Sequence, residues 1–172
     1  MKHSKDAGFT VIAALIVVAI FGLLLAIAAP PLTDFLNEVQ ARQNTNEFLS
    51  SLLLARSEAV TRNRPVSMCK IDASTLEDCD SDNAWHDGWL SFEDLDEDGV
   101  LDVGEEIIDQ HAGLDDTTII TTVNFSDHLT YTPSGRVSSA GAFNLCVGHT
   151  SASRIGVNAT GRPRIVEGVC TD

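Results

Sequence analysis

The chain opens with the leader Met1-Lys2-His3-Ser4-Lys5-Asp6-Ala7-Gly8, followed by Phe9-Thr10-Val11-Ile12-Ala13-Ala14-Leu15-Ile16-Val17-Val18. Phe9 starts an uncharged apolar run that ends at Ala29, just before Pro30 and Pro31. The run is 21 residues long. As a helix it would span roughly 30 Å, one hydrocarbon thickness. A secretory signal peptide is cut after its apolar core, at a small-residue site. Here the attractive cut lies before the core, between Gly8 and Phe9, so the hydrophobic helix stays in the mature chain. The sequence therefore predicts a leader over 1–8 and a transmembrane and assembly helix over 9–29.

Beyond Pro31 the pattern stays helical. Leu32, Phe35, Leu36 and Val39 recur at three- and four-residue intervals, and Phe48, Leu49, Leu52, Leu53 and Val60 continue the apolar face. Two prolines at the membrane exit bend such a helix rather than end it. An amphipathic continuation is thus expected over 30–63, giving one long helix over roughly 9–62. After Asn63 the period shortens to two. Expected strands are Pro65–Lys70, Trp89–Glu93, Glu106–Gln110, Thr118–Phe125, Thr130–Thr132, Ala142–Val147, Arg154–Asn158 and Arg164–Val166, separated by Gly, Ser, Asn and Asp. The fold class that follows is α+β: a long N-terminal helix packed on antiparallel sheets, with a β-rich globular domain over 64–172.

The 172 residues carry a net charge of -14, but the charge is segregated. Residues 71–116 hold 17 Asp or Glu and no Lys or Arg, whereas 128–166 hold four arginines (Arg136, Arg154, Arg162 and Arg164) and no acid. A generally basic nucleic-acid surface is excluded, and the two regions have to be read separately. The four cysteines include no C-x-x-C pair, which favours disulfides over zinc. Of three possible pairings, Cys69–Cys79 and Cys146–Cys170 are preferred, because each closes a local loop beside predicted strands. Each bond would contribute about 2–4 kcal/mol. It would also fit a domain exported to an oxidising space, with the positive leader left on the cytoplasmic side.

The order Lys5-Asp6-Ala7-Gly8-Phe9-Thr10-Val11-Ile12 resembles the class III leader of type IV pilins and type II secretion pseudopilins. Further matches run in order along the chain: Leu54-Ala55-Arg56-Ser57-Glu58-Ala59, Asn63-Arg64-Pro65-Val66, Trp85, Gly88-Trp89, Thr132-Pro133-Ser134-Gly135-Arg136, Phe143-Asn144-Leu145-Cys146 and Gly161-Arg162-Pro163-Arg164. Together they are similar to the GspH/FimT family of minor pilins and pseudopilins. The resemblance implies a type IV pilin-like fold, cleavage after Gly8 by a prepilin peptidase and methylation of Phe9. It implies no enzymatic activity. It also implies a single-pass inner-membrane subunit with its C-terminal domain in the periplasm, which later joins other major and minor pilins in a filament or at its tip. One position departs from the pattern: Ala13 stands where the family usually carries a glutamate. A subunit at the tip has none ahead of it to meet that carboxylate, so Ala13 is consistent with a tip position.

Within the resemblance, Gly161-Arg162-Pro163-Arg164 matches the G-R-x-R motif of the FimT branch, which is associated with DNA uptake. Two arginines at i and i+2 on extended chain project to one face and can grip adjacent phosphates without reading bases. The expected function is a minor pilin that primes or caps a type IV pilus. Its expected ligand is double-stranded DNA, bound weakly and salt-sensitively through Arg162 and Arg164 with help from Arg136 and Arg154. The competing expectation pairs these arginines with the acidic middle of the same domain. The alternative function is an H-type pseudopilin of type II secretion, an interaction subunit without a nucleic-acid role.

One further motif stands in the acidic middle. Asp94-Leu95-Asp96-Glu97-Asp98-Gly99-Val100-Leu101-Asp102-Val103-Gly104-Glu105 fits the calcium-loop template D-x-D-x-D-G-x5-E. Asp94, Asp96, Asp98, the Val100 carbonyl, Asp102 and Glu105 are the expected ligands of a possible calcium ion, at a hairpin rather than between helices. Affinity there would be about 10⁻⁴–10⁻³ M. The competing reading is a solvated acidic turn. No nucleophile motif, P-loop or H-E-x-x-H occurs. His86, His111, His128 and His149 are scattered, and Trp85 and Trp89 read as core or loop anchors.

Overall fold

The protein is described from a computed structural model. The described residues are 10–170 apart from 73, 126, 149, 150 and 169, with the side chains of 25–31, 151 and 167 also left aside. The expected cleavage and methylation residues Gly8 and Phe9 lie outside them, as does His149.

One helix, α1 (Val11–Arg62), is followed by eight strands: β1 (Val66–Lys70), β2 (Gly88–Glu93), β3 (Ile107–Ala112), β4 (Thr118–Val123), β5 (His128–Tyr131), β6 (Gly141–Val147), β7 (Ser151–Val157) and β8 (Pro163–Glu167). A short 3-10 turn, Trp85–Asp87, precedes β2. All eight expected strands form, with ends shifted by up to three residues. They build two antiparallel sheets, the first ordered β3-β2-β1-β5 and the second β4-β6-β7-β8.

The chain divides into two units, residues 1–36 and 37–172. In the first, the large apolar side chains from Val11 to Leu24 are exposed, as are Leu32, Phe35 and Leu36. Among the described residues no helix is long and apolar enough to cross a membrane. The second unit takes in the last part of α1, because that part is packed into the β core. Its buried face starts at Ala41 and is completed by Phe48, Leu52, Ala55 and Ala59. This corrects the face read from hydrophobicity alone. Leu53 and Val60 are half exposed at 46% and 50%, while two alanines take the contact positions. Small side chains there let the helix backbone approach the strands closely, and the bulky contacts come from the sheets.

Phe48 is the centre of that core. Its ring meets Trp85, Trp89 and Phe143 edge-on, with centroids 5.9, 4.8 and 4.7 Å away. Trp85 comes from the 3-10 turn, Trp89 from the first sheet and Phe143 from the second, so one helical side chain joins both sheets. Edge-on aromatic pairs of this kind add to the area they bury. Both tryptophans are buried, which makes them core anchors. His86 closes an edge of the second sheet, its Nδ1 accepting from the Ile120 amide at 3.3 Å.

Both expected disulfides form. Cys69–Cys79 ties β1 to the loop after it, and Cys146–Cys170 ties β6 to the C-terminal segment. Replacing Phe48 by Ala should cost about 3–5 kcal/mol, the range for deleting a large buried aromatic. Urea denaturation of the wild type and Phe48→Ala reads this directly. A loss below 1 kcal/mol would mean that the ring is not the centre of the core.

Candidate functional site

Three charged groupings are present, and they use their charges differently. The first lies where α1 ends. Arg62 Nε donates to Glu58 Oε2 at 2.7 Å, and its Nη1 donates to Glu93 Oε1 at 2.9 Å and Glu106 Oε2 at 3.0 Å. Arg64 Nη1 donates to the other oxygen of Glu93 at 3.0 Å. Glu93 is largely buried, and its hydrogen bond from Arg62, with that from Arg64, holds its carboxyl below the usual glutamate range against the opposing effect of burial. Sequence reading missed this network. Apart from the i,i+4 pair Glu58–Arg62, its contacts join residues 29–44 apart, which no local pattern marks.

The second grouping is the acidic loop, 94–105. Three of the six expected metal ligands converge: carboxylate oxygens of Asp94, Asp96 and Asp98 lie within 4.8 Å of one another. Asp94 is fully buried, and its oxygens accept from the Asp98 amide at 3.1 Å, from the Gly99 amide at 3.0 Å and from Ser67 Oγ. The carboxylates of Asp102 and Glu105 are not part of the convergent group. Glu105 instead spends one oxygen on the Leu95 amide at 2.8 Å and the other on the Asp102 amide at 3.0 Å. The loop is therefore closed by its own backbone donors, and Gly99 (φ +77°) supplies its turn with no room for a side chain, since a Cβ there would meet the His128 ring. Partial desolvation and then the carboxylates of Asp98, Asp102 and Asp94 push the Asp96 carboxyl above its usual range.

The third grouping is the four arginines. Arg136, Arg154, Arg162 and Arg164 are all exposed, and none is ion-paired among the described residues. Two acids of the middle region, Glu93 and Glu106, find partners on Arg62 and Arg64, and among the described residues none pairs with these four arginines. In the second sheet Ile155 faces Ile165, and Arg154 faces Val166. Ile155 is buried, so strand alternation turns Arg154 and Arg164 to the opposite, outer face. Arg164 lies opposite Gly156, where an added Cβ would meet only open space. Arg136 and Arg162 sit on two turns, Thr132–Arg136 and Asn158–Arg162, that touch through glycines: a Cβ on Gly161 would lie 2.0 Å from the Gly135 carbonyl oxygen. The four candidate residues are thus presented from one sheet face and one pair of docked turns.

No grouping resembles a catalytic site. Among the described residues the histidine that contacts a carboxylate, His111 with Glu47 at 2.6 Å, lies stacked on Trp89.

Comparison with known proteins agrees with this. The sequence profile of the family described as type II transport protein GspH matches residues 44–161, from the buried helix face to the glycine before Arg162. The chain belongs to the GspH family. A second profile, the prokaryotic N-terminal methylation motif, matches residues 3–29. Among solved structures, the type IV minor pilin FimU of Pseudomonas aeruginosa superposes with a TM-score of 0.59 at 21% identity, over 77% of this chain and 92% of its own. The minor pseudopilin EpsH of the Vibrio cholerae type 2 secretion system gives 0.51 at 14% identity, over 74% and 96%. At such identities the likeness speaks for the fold. No curated protein sequence matches the chain. As a GspH-family member with the methylation motif, this protein is a minor pilin or pseudopilin of a type IV pilus or type II secretion system. It is a structural subunit rather than an enzyme, whose partners are other pilins and the prepilin peptidase.

Two measurements test the first two groupings. Glu93 is held low by its arginines, so its contribution to stability is complete above the ordinary glutamate value of 4.5 and is lost as pH falls below it. Thermal melts from pH 7 to 3 should show a fall beginning near that value, and Glu93→Gln should flatten it. For the loop, Asp96→Asn removes a charge that its neighbours repel and should raise the melting temperature in chelator. If calcium completes the cluster, the order of wild type and variant reverses in millimolar calcium.

Proposed function

We propose that this protein is a FimT-like minor pilin of a type IV pilus that binds double-stranded DNA weakly and without sequence preference. Residues 9–29 hold it in the inner membrane before assembly, and the unit from Asn37 onward stands in the periplasm. After assembly it primes or caps the filament, a role compatible with Ala13 at a position that calls for a carboxylate only when another subunit lies ahead.

The observation that carries the DNA reading is the state of the four arginines. In a protein of net charge -14 carboxylates are plentiful, yet Arg136, Arg154, Arg162 and Arg164 remain unpaired among the described residues. Unpaired guanidiniums offer planar, two-pronged donors that suit phosphate oxygens. No acid from 128 to 166 opposes a polyanion there. Contacts of this type grip the backbone and carry no sequence information.

Arg162→Gln together with Arg164→Gln should abolish a mobility shift of duplex DNA at low salt. Each phosphate contact contributes about 0.9 to the slope of log affinity against log salt, so Arg162→Gln and Arg164→Gln taken singly should each flatten the slope by roughly 1. An unchanged shift would remove these residues from the site. The rival reading, a type II secretion pseudopilin, draws on the GspH profile and the EpsH-like fold. It predicts binding to other pseudopilins with no DNA shift at any salt.

A further inference from the structure

Chain topology by itself keeps Arg136 and Arg162 apart. Arg136 follows β5, an edge strand of the first sheet, and Arg162 lies between β7 and β8 of the second. They come together through a stack of three layers. The outermost is the turn Asn158–Arg162. Asn158 Oδ1 accepts from the Thr160 amide at 3.2 Å, the Thr160 hydroxyl at 2.6 Å and the Arg162 amide at 3.2 Å, and the Asn158 carbonyl accepts from the Gly161 amide at 2.8 Å. The middle layer is the turn Thr132–Arg136. There the Gly135 amide donates to the Thr132 carbonyl, and the Thr132 amide to the Arg136 carbonyl, both at 2.8 Å. Gly161 (φ +71°) seats on this turn so closely that a Cβ would also approach Arg136 Cα to 3.2 Å. The inner layer is α1. Arg56 Nε donates to the Gly135 carbonyl at 2.9 Å, and a Cβ on Gly135 would stand 3.0 Å from Val60 and 3.3 Å from Arg56.

We propose that Arg56, Asn158 and Gly161 are positioning residues of the polyanion site: the helix guanidinium fixes the Gly135 carbonyl, Gly161 seats on it, Asn158 shapes the turn above, and Arg136 and Arg162 from two separate sheets are thereby held as one phosphate-gripping pair. The inference rests on the DNA reading given above and deepens it. Its physical content is preorganisation. Two long side chains projecting from fixed, mutually docked turns lose less freedom on meeting phosphates than two on independent loops. Arg56 is half buried and already donates to a backbone carbonyl, so its part is to support the turn rather than to touch the ligand.

Asn158→Ala and Gly161→Ala test this on the full chain, because neither changes a charge. The first removes only the cap of an exposed turn; the second forces the two turns apart. Both should weaken duplex DNA binding about fivefold or more, the ordering cost of two long side chains. Arg56→Met, which keeps an apolar stem but no donor, should also weaken binding while leaving the salt slope unchanged, since no phosphate contact is removed. Melting temperature and disulfide content report whether each variant is folded. Wild-type affinity in both Asn158→Ala and Gly161→Ala, with binding lost in the Arg162→Gln and Arg164→Gln variant, would overturn the positioning role and leave the DNA reading standing. A salt slope flattened by about 1 in Arg56→Met would make Arg56 a direct phosphate contact, which also overturns it. Absence of any DNA shift by the wild type would take down both.

Discussion

Both sheets of this domain are organised around a single helical side chain. Phe48 touches an aromatic ring from the 3-10 turn, one from the first sheet and one from the second. A sheet needs something to bury its apolar face against, and here the two sheets share the same helix for one face each. Ala55 and Ala59 continue the buried line toward the helix end and bring the helix backbone near the strands. The arginines discussed above depend on this placement. Arg56 can reach Gly135 only because Ala55 next to it faces the core, and Arg62 can reach Glu93 only because the helix ends where β1 begins.

The architecture was legible from sequence because its signals are local. A three- and four-residue apolar period gives α1, and eight short runs of period two give the strands. The buried face was harder. Hydrophobicity alone selects Leu53 and Val60, whereas the contact surface uses Ala55 and Ala59, because at a close helix–sheet approach shape outweighs apolar area. Cysteine pairing was legible because both bridges close short loops, with separations of 10 and 24 residues.

The candidate sites show the same division. The G-R-x-R stretch is visible by inspection, but what fixes it is not. Gly135 and Gly161 lie in unrelated turns, and neither carries a local mark of the other. In the acidic loop the template named five carboxylates, and three converge. Glu105 satisfies two of its loop's own backbone amides instead, a choice no spacing rule reports. Templates list which groups could meet; competing donors nearby decide which do.

Charge placement also limits how a polyanion can be held. With a net charge of -14, the far field of the chain repels nucleic acid, and attraction has to arise close to the arginine surface. At physiological ionic strength charges beyond about 8 Å are largely screened, so distant acids matter little once contact is made. Within the acidic middle, Glu93 and Glu106 are engaged by Arg62, and Asp94 by amides of its own loop. Under the DNA reading proposed above, steering from a distance is therefore absent, and affinity would depend on geometry at contact. For such a surface, fixed turns matter more than added charge, because a loosely held arginine in a repulsive field has both the ordering cost and the repulsion to overcome.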